Sequence, residues 1–167
     1  MSEILPNGNW SEWFEKYGPR MLLYARQKTP SFADAEDVVQ EAFVRFWKSS
    51  ARYHPEPHVQ LFVLVRRVAI DQARSRIRRK KREERAEDWV GSQPLFTESM
   101  EKKEDHLMIQ ECIGKLSEEQ KEVLVLKIWG ELTLGQIGRA LEISPNTVAS
   151  RYRYALTNLR RSLVKNG

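Results

Sequence analysis

The sequence is poor in the residue types from which most active sites are built. It has 167 residues with a single cysteine and three histidines. One cysteine, Cys112, excludes an internal disulfide and points to a reduced, cytosolic setting. His54 and His58 flank a Pro-Glu-Pro segment, His106 stands apart, and none has a cysteine beside it, so zinc ligation is not expected. Gly130, Gly135 and Gly138 lie around and within a helical pattern, not in a phosphate-cradling loop. No serine or cysteine has the surroundings of a nucleophile. No run approaches the roughly 18 apolar residues that span a bilayer. Ser2 to Trp13 is polar with acidic members, so no secretory leader is expected. These absences leave neither a cofactor nor a metal to expect. They leave a chain with 41% hydrophobic residues, enough for modest cores, and a net charge of +5 with a sequence pI near 9.4, consistent with a polyanionic partner.

What is present is helical. The stretch Thr133 to Leu163 reads as two helices joined by a tight turn. Thr133 with Gln136 forms a capping box, and Leu134, Ile137, Ala140 and Leu141 fall on one face. Ser144 then caps a second helix that opens on Pro145. On that helix Val148, Tyr152, Ala155, Leu159 and Leu163 form a stripe to be buried. Asn146, Thr147, Ser150, Arg151, Arg153 and Tyr154 cover its other sides near the start. Polar and cationic residues in the first turns suit a helix that reads base edges, while Arg153, Arg160, Arg161 and Lys165 suit phosphates. A plain amphipathic helix with a solvated basic face fits the same pattern.

The rest of the chain is read in the same way. Asn9 to Lys28 is predicted helical through Trp10, Trp13, Phe14, Tyr17, Met21, Tyr24 and Ala25, with a kink or break at Gly18-Pro19. A second helix, Ala33 to Ser49, buries Val38, Val39, Ala42, Phe43, Phe46 and Trp47. Its other side aligns Asp37, Gln40, Glu41 and Val44, carboxylates and an amide beside an apolar spot. That face suits docking on a basic helix, although an ordinary solvated acidic face is the reading periodicity alone favours. Ser50 to His58 reads as a proline-stiffened loop in which Tyr53, His54 and His58 could hold an unstacked base or merely close the turn. Val59 to Arg85 reads as one long helix, apolar through Ile70 and then cationic. The cationic run Ala73 to Arg85, with Arg74 and Arg78 in it, is the candidate for a nucleic-acid backbone. Ala86 to Asp105 has no sustained apolar period and is expected to be a flexible acidic linker. Leu107 to Lys115 opens a second domain. Ser117 with Gln120 makes another capping box, and Val123, Leu124, Leu126 and Ile128 are its expected core.

The layout resembles the small two-domain sigma factors of bacterial RNA polymerase, the extracytoplasmic-function group. The segment Asp34-Ala35-Glu36-Asp37-Val38-Val39-Gln40-Glu41-Ala42-Phe43, with Trp47, is similar to the family's polymerase-docking helix. Val68-Ala69-Ile70-Asp71 and the following arginines are similar to its helix at the −10 promoter element. Leu116 to Leu124 and Ile143 to Arg151 are similar to its −35-reading domain. The resemblance implies an all-α fold of two small helical domains, 1–85 and 106–167, around the linker 86–105, the second carrying a helix-turn-helix. It implies core RNA polymerase and promoter DNA as partners, with an anti-sigma protein in many members, and a promoter-selecting role, not an enzyme. Asp37, Gln40, Glu41 and Val44 would face polymerase. Tyr53, His54, Arg66, Arg67, Arg74 and Arg78 would hold the −10 strand, and Asn146, Thr147, Ser150, Arg151, Arg153 and Tyr154 would read the −35 element. The chain departs from the family at Gln60, usually Trp, at Arg67, usually Asn, and at Ala149, often Lys. A free-standing helix-turn-helix regulator is the competing reading, but it needs a dimer and no dimerisation heptad is present. A nuclease holding metal on Asp34, Glu36 and Asp37 is a third.

Overall fold

The computed structural model describes residues 10–83 and 103–166. All regular structure among them is helical, and the chain divides into two compact units, one within Met1–Gln93 and one within Pro94–Gly167.

The first unit is built from α1 (Trp10–Arg26), α2 (Phe32–Lys48), a 3-10 turn at Ser50–Tyr53 and α3 (Pro57–Glu83). Its core follows the aromatic periodicity. Trp13, Tyr17, Met21 and Tyr24 of α1 meet Val38, Phe43 and Phe46 of α2 and Leu61, Phe62 and Val65 of α3, all buried. Trp13 stacks on Phe46 at 5.6 Å, Phe14 lies 5.1 Å from Phe43, and Tyr24 meets Phe62 edge-on at 5.9 Å. Tilted and edge-on pairs of this kind add to plain area burial. Trp10 bridges Phe43 and Trp47, each at 5.2 Å.

Several expectations need correction. No break occurs at Gly18-Pro19, because α1 runs unbroken with Pro19 inside it. Pro19 and Glu15 both face solvent. The carbonyl that loses its donor is therefore within reach of water, which lowers the cost of an interior proline. The loop does not extend to His58 either. Pro57 is the first residue of α3, where a missing N–H costs nothing, and His58 stacks on Tyr17 with ring centres 6.2 Å apart. Finally, the last three residues of the expected linker, Lys103 to Asp105, are the first turn of α4 (Lys103–Gly114). The remainder of that linker, and Glu84 and Arg85 at the expected end of the long helix, lie outside the described residues.

The second unit comprises α4, α5 (Glu118–Ile128), α6 (Leu134–Leu141) and α7 (Pro145–Asn166). Cys112, Ile113, Val123, Leu124, Leu126, Leu132, Ile137, Val148 and Ala155 form its core. Ile128, expected in that core, is instead 44% exposed at the end of α5. Val125, which the spacing passed over, is buried in its place. The box at Thr133 is complete: its backbone N–H donates to Gln136 Oε1 at 2.9 Å and the Gln136 N–H donates to Thr133 Oγ1 at 3.1 Å. At Ser117 only half of the box forms. The Gln120 N–H donates to Ser117 Oγ at 3.2 Å, but the Gln120 side chain accepts from Asn158 of α7 at 3.1 Å.

Candidate functional site

The turn between α6 and α7 positions the presented helix. Glu142 closes α6 in the left-handed region at φ 58°, and the Ile143 N–H returns to the Gly138 carbonyl at 3.0 Å. The backbone passes so close to Gly138 that a β-carbon there would sit 2.8 Å from the Ile143 carbonyl oxygen. Ser144 then caps α7, its hydroxyl accepting from the Thr147 N–H at 3.1 Å and lying 2.9 Å from Thr147 Oγ1.

Val148 and Ala155 anchor α7 in the core, with Tyr152, Leu159 and Leu163 half-buried beside them. Asn146, Arg153 and Tyr154 are exposed, while Thr147, Ser150 and Arg151 are half-buried. These six occupy about 12 Å along the helix axis, roughly the width of a DNA major groove. The Arg151 guanidinium is held by Glu119 of α5 in an ion pair at 3.6 Å. Nothing in the local pattern of α7 signals that partner.

On α2, Asp37, Gln40 and Val44 lie exposed on one side, away from the aromatic core. Glu41, in the same group, is already engaged. Its carboxylate accepts from Arg45 one turn on and, at 3.2 Å, from Gln72 of α3. Arg45 reaches on to Asp71 at 4.0 Å, and Asp34 pairs with Arg76 at 3.9 Å. Glu41 and Asp34 of α2 are therefore tied to α3, and Arg45 pairs the other way with Asp71, while Asp37 and Gln40 stay exposed. Arg45 at the i+4 position from Glu41 was legible as a helix pair; Gln72, thirty-one residues away, was not.

Along α3, Arg67, Asp71, Arg74 and Arg78 recur at steps of four, three and four and are all exposed. The three arginines span about 16 Å of axis. Arg66 lies on the neighbouring side, half-buried. Tyr53 and His54 stand at the other end, just before α3 begins. The Tyr53 ring is 73% exposed, yet it is not loose: the Arg52 guanidinium sits 4.7 Å from its centre and 5.6 Å from that of Trp47. His54 Nδ1 accepts from the Glu56 N–H at 3.0 Å, which fixes the approach to the helix. Tyr53 and Arg78 are thus separated by most of the length of α3. The structure brings Arg67, Arg74 and Arg78 together and leaves Tyr53 and His54 as a distinct platform. Among the described residues no group of histidines, cysteines and carboxylates could hold a metal, and no helix is long and apolar enough to cross a membrane.

Comparison with known proteins places this arrangement. Residues 13–83 match the model of sigma-70 region 2, and residues 106–159 match that of sigma-70 region 4. The chain is 29% identical over 163 residues to the ECF RNA polymerase sigma factor SigL of Mycobacterium tuberculosis, covering 92% of this chain and 88% of that one. It is 26% identical over 164 residues to the RNA polymerase sigma-E factor of Streptomyces coelicolor, covering 98% and 89%. Its fold is shared with the sigma factor RpoE of Bartonella quintana, solved with the anti-sigma factor NepR, at a TM-score of 0.66 and 18% identity over 93% of this chain and 96% of that one. It is shared also with CnrH, solved with the cytosolic domain of CnrY, at a TM-score of 0.64 and 19% identity over 94% and 88%. With both regions present in order on one such fold, the chain belongs to the sigma-70 family as an extracytoplasmic-function sigma factor, an alternative sigma factor that directs promoter recognition and transcription initiation.

Proposed function

We propose that the two units divide the work of initiation, residues 1–85 gripping core RNA polymerase and the −10 element and residues 106–167 reading the −35 element. The observation that carries this is the exposed Asp37, Gln40 and Val44 side of α2, polar and acidic with one apolar contact point. It suits a basic coiled coil on the largest polymerase subunit. Glu41 contributes at its free lone pairs while remaining tied to Arg45 and Gln72. Arg67, Arg74 and Arg78 follow the phosphates of the non-template strand, with Arg66 beside them, and the exposed Tyr53 ring next to His54 stacks on an unpaired base. Asn146, Thr147, Ser150 and Arg151 face base edges of the −35 element, and Arg153 and Tyr154 face its backbone.

In this reading the protein is not an enzyme. It lends promoter choice to one, in the cytoplasm where polymerase and chromosome are. RpoE and CnrH were each solved with a second protein, and a partner of the anti-sigma kind would silence this chain by covering the α2 side. The test is a pull-down with core polymerase beside a gel shift without it. Binding to core enzyme that is lost in a Gln40→Ala, Glu41→Lys variant supports the reading. Tight operator binding without polymerase, with core binding unchanged in the variant, would replace it with a free-standing regulator.

A further inference from the structure

Glu119 is an anomaly in the proposed −35 unit. It lies in the first turn of α5, its side chain is 68% exposed, and its carboxylate stands 3.6 Å from the Arg151 guanidinium. A carboxylate beside a surface that meets DNA repels phosphate, so its presence calls for a compensating role. The surroundings supply one. The Ser117 cap fixes the first turn of α5, and the neighbouring Gln120 is bound to Asn158 of α7, which clamps the two helices together at that point. The backbone that carries Glu119 is thereby fixed against α7, and Arg151, 28% exposed, is a long side chain whose guanidinium that carboxylate reaches. An arginine with five donors has many rotamers, and holding one edge of it on a carboxylate leaves the other edge aimed.

We propose that Glu119 is a positioning residue for promoter selectivity: it holds the Arg151 guanidinium in the orientation that reads a base of the −35 element. This rests on the assignment of Arg151 as a base reader, and the two fail differently. A pair this exposed contributes little to stability, so Glu119 variants are expected to fold normally.

The test is run-off transcription by full-length protein with core polymerase on promoters randomised across the −35 element. Wild type, Glu119→Ala, Glu119→Gln, Arg151→Ala and the Glu119→Ala, Arg151→Ala double variant are compared. Arg151→Ala flattens the preference at one −35 position. Glu119→Ala lowers discrimination at that same position by about three- to tenfold, Glu119→Gln lowers it less, and the double variant matches Arg151→Ala alone. A Glu119→Ala profile identical to wild type overturns the proposal, as does a uniform change across all promoters, which would mark a simple charge effect on phosphates. Additive losses in the double variant overturn it as well. If Arg151→Ala itself leaves every preference intact, the assignment of Arg151 falls, and the role of Glu119 falls with it.

Discussion

At the level of single residues, the turn before α7 holds two positions with opposite expected responses. Gly138 has no room for a β-carbon, since the Ile143 carbonyl oxygen would lie 2.8 Å from it. Gly138→Ala should destabilise the second unit by about 1–3 kcal/mol, the ordinary cost of overpacking. Glu142 sits at φ 58°, where a side chain is strained by about 1–2 kcal/mol. Glu142→Gly should recover on the order of 1 kcal/mol of that, even after the entropy glycine adds to the unfolded chain. Hydrogen exchange of α6 and α7 amides reads both, with faster exchange in the first variant and slower in the second. Part of this was legible: the Thr133 box and the Ser144-Pro145 start follow from residue types at fixed offsets. The left-handed glutamate was not, because asparagine or glycine is the residue that normally announces that conformation.

Among the elements, α2 and α3 depend on each other more than their separate patterns indicate. The stripe of Asp37, Gln40, Glu41 and Val44 is visible in the sequence as a helical period. Its internal division is not, since Glu41 is bound to Gln72 on another helix. Gln40→Ala should therefore weaken core-polymerase binding with no change in stability. Glu41→Ala should do both, costing about 0.5–1.5 kcal/mol through the lost bond to Gln72. Denaturation and pull-down on the same pair of variants separate the two effects, and equal stability losses would contradict this assignment. The cationic stripe of α3 has its own test. If Arg74 and Arg78 neutralise phosphates of a single strand, replacing both with alanine should reduce the salt dependence of promoter binding by about 1.4 in log–log slope. An unchanged slope would mean that these arginines do not touch the backbone. Of the kink or break expected at Gly18-Pro19 the break is absent, because Pro19 falls on the exposed side of a helix anchored by its aromatic stripe. The same residue type at position 57 marked a true start, two residues before apolar period alone placed it.

Across the whole molecule, the two compact units divide two chemistries: a polar, acidic side of α2 in the first and a cationic presenting helix, α7, in the second. Both were readable from period and charge, which depend only on neighbours within a helix. The contacts that tune them, Glu41 to Gln72 and Arg151 to Glu119, join separate helices and needed the fold. The most direct measurement is run-off transcription from a promoter library with core polymerase. It compares wild type with an Asp37→Lys, Gln40→Ala variant of α2 and a Thr147→Ala, Arg151→Ala variant of α7. The expected result is that the α2 variant loses transcripts from every promoter alike through lost polymerase binding, while the α7 variant still binds polymerase and changes which promoters are used. Transcription unaltered by the α2 variant, or an α7 variant with wild-type promoter choice, would contradict the account.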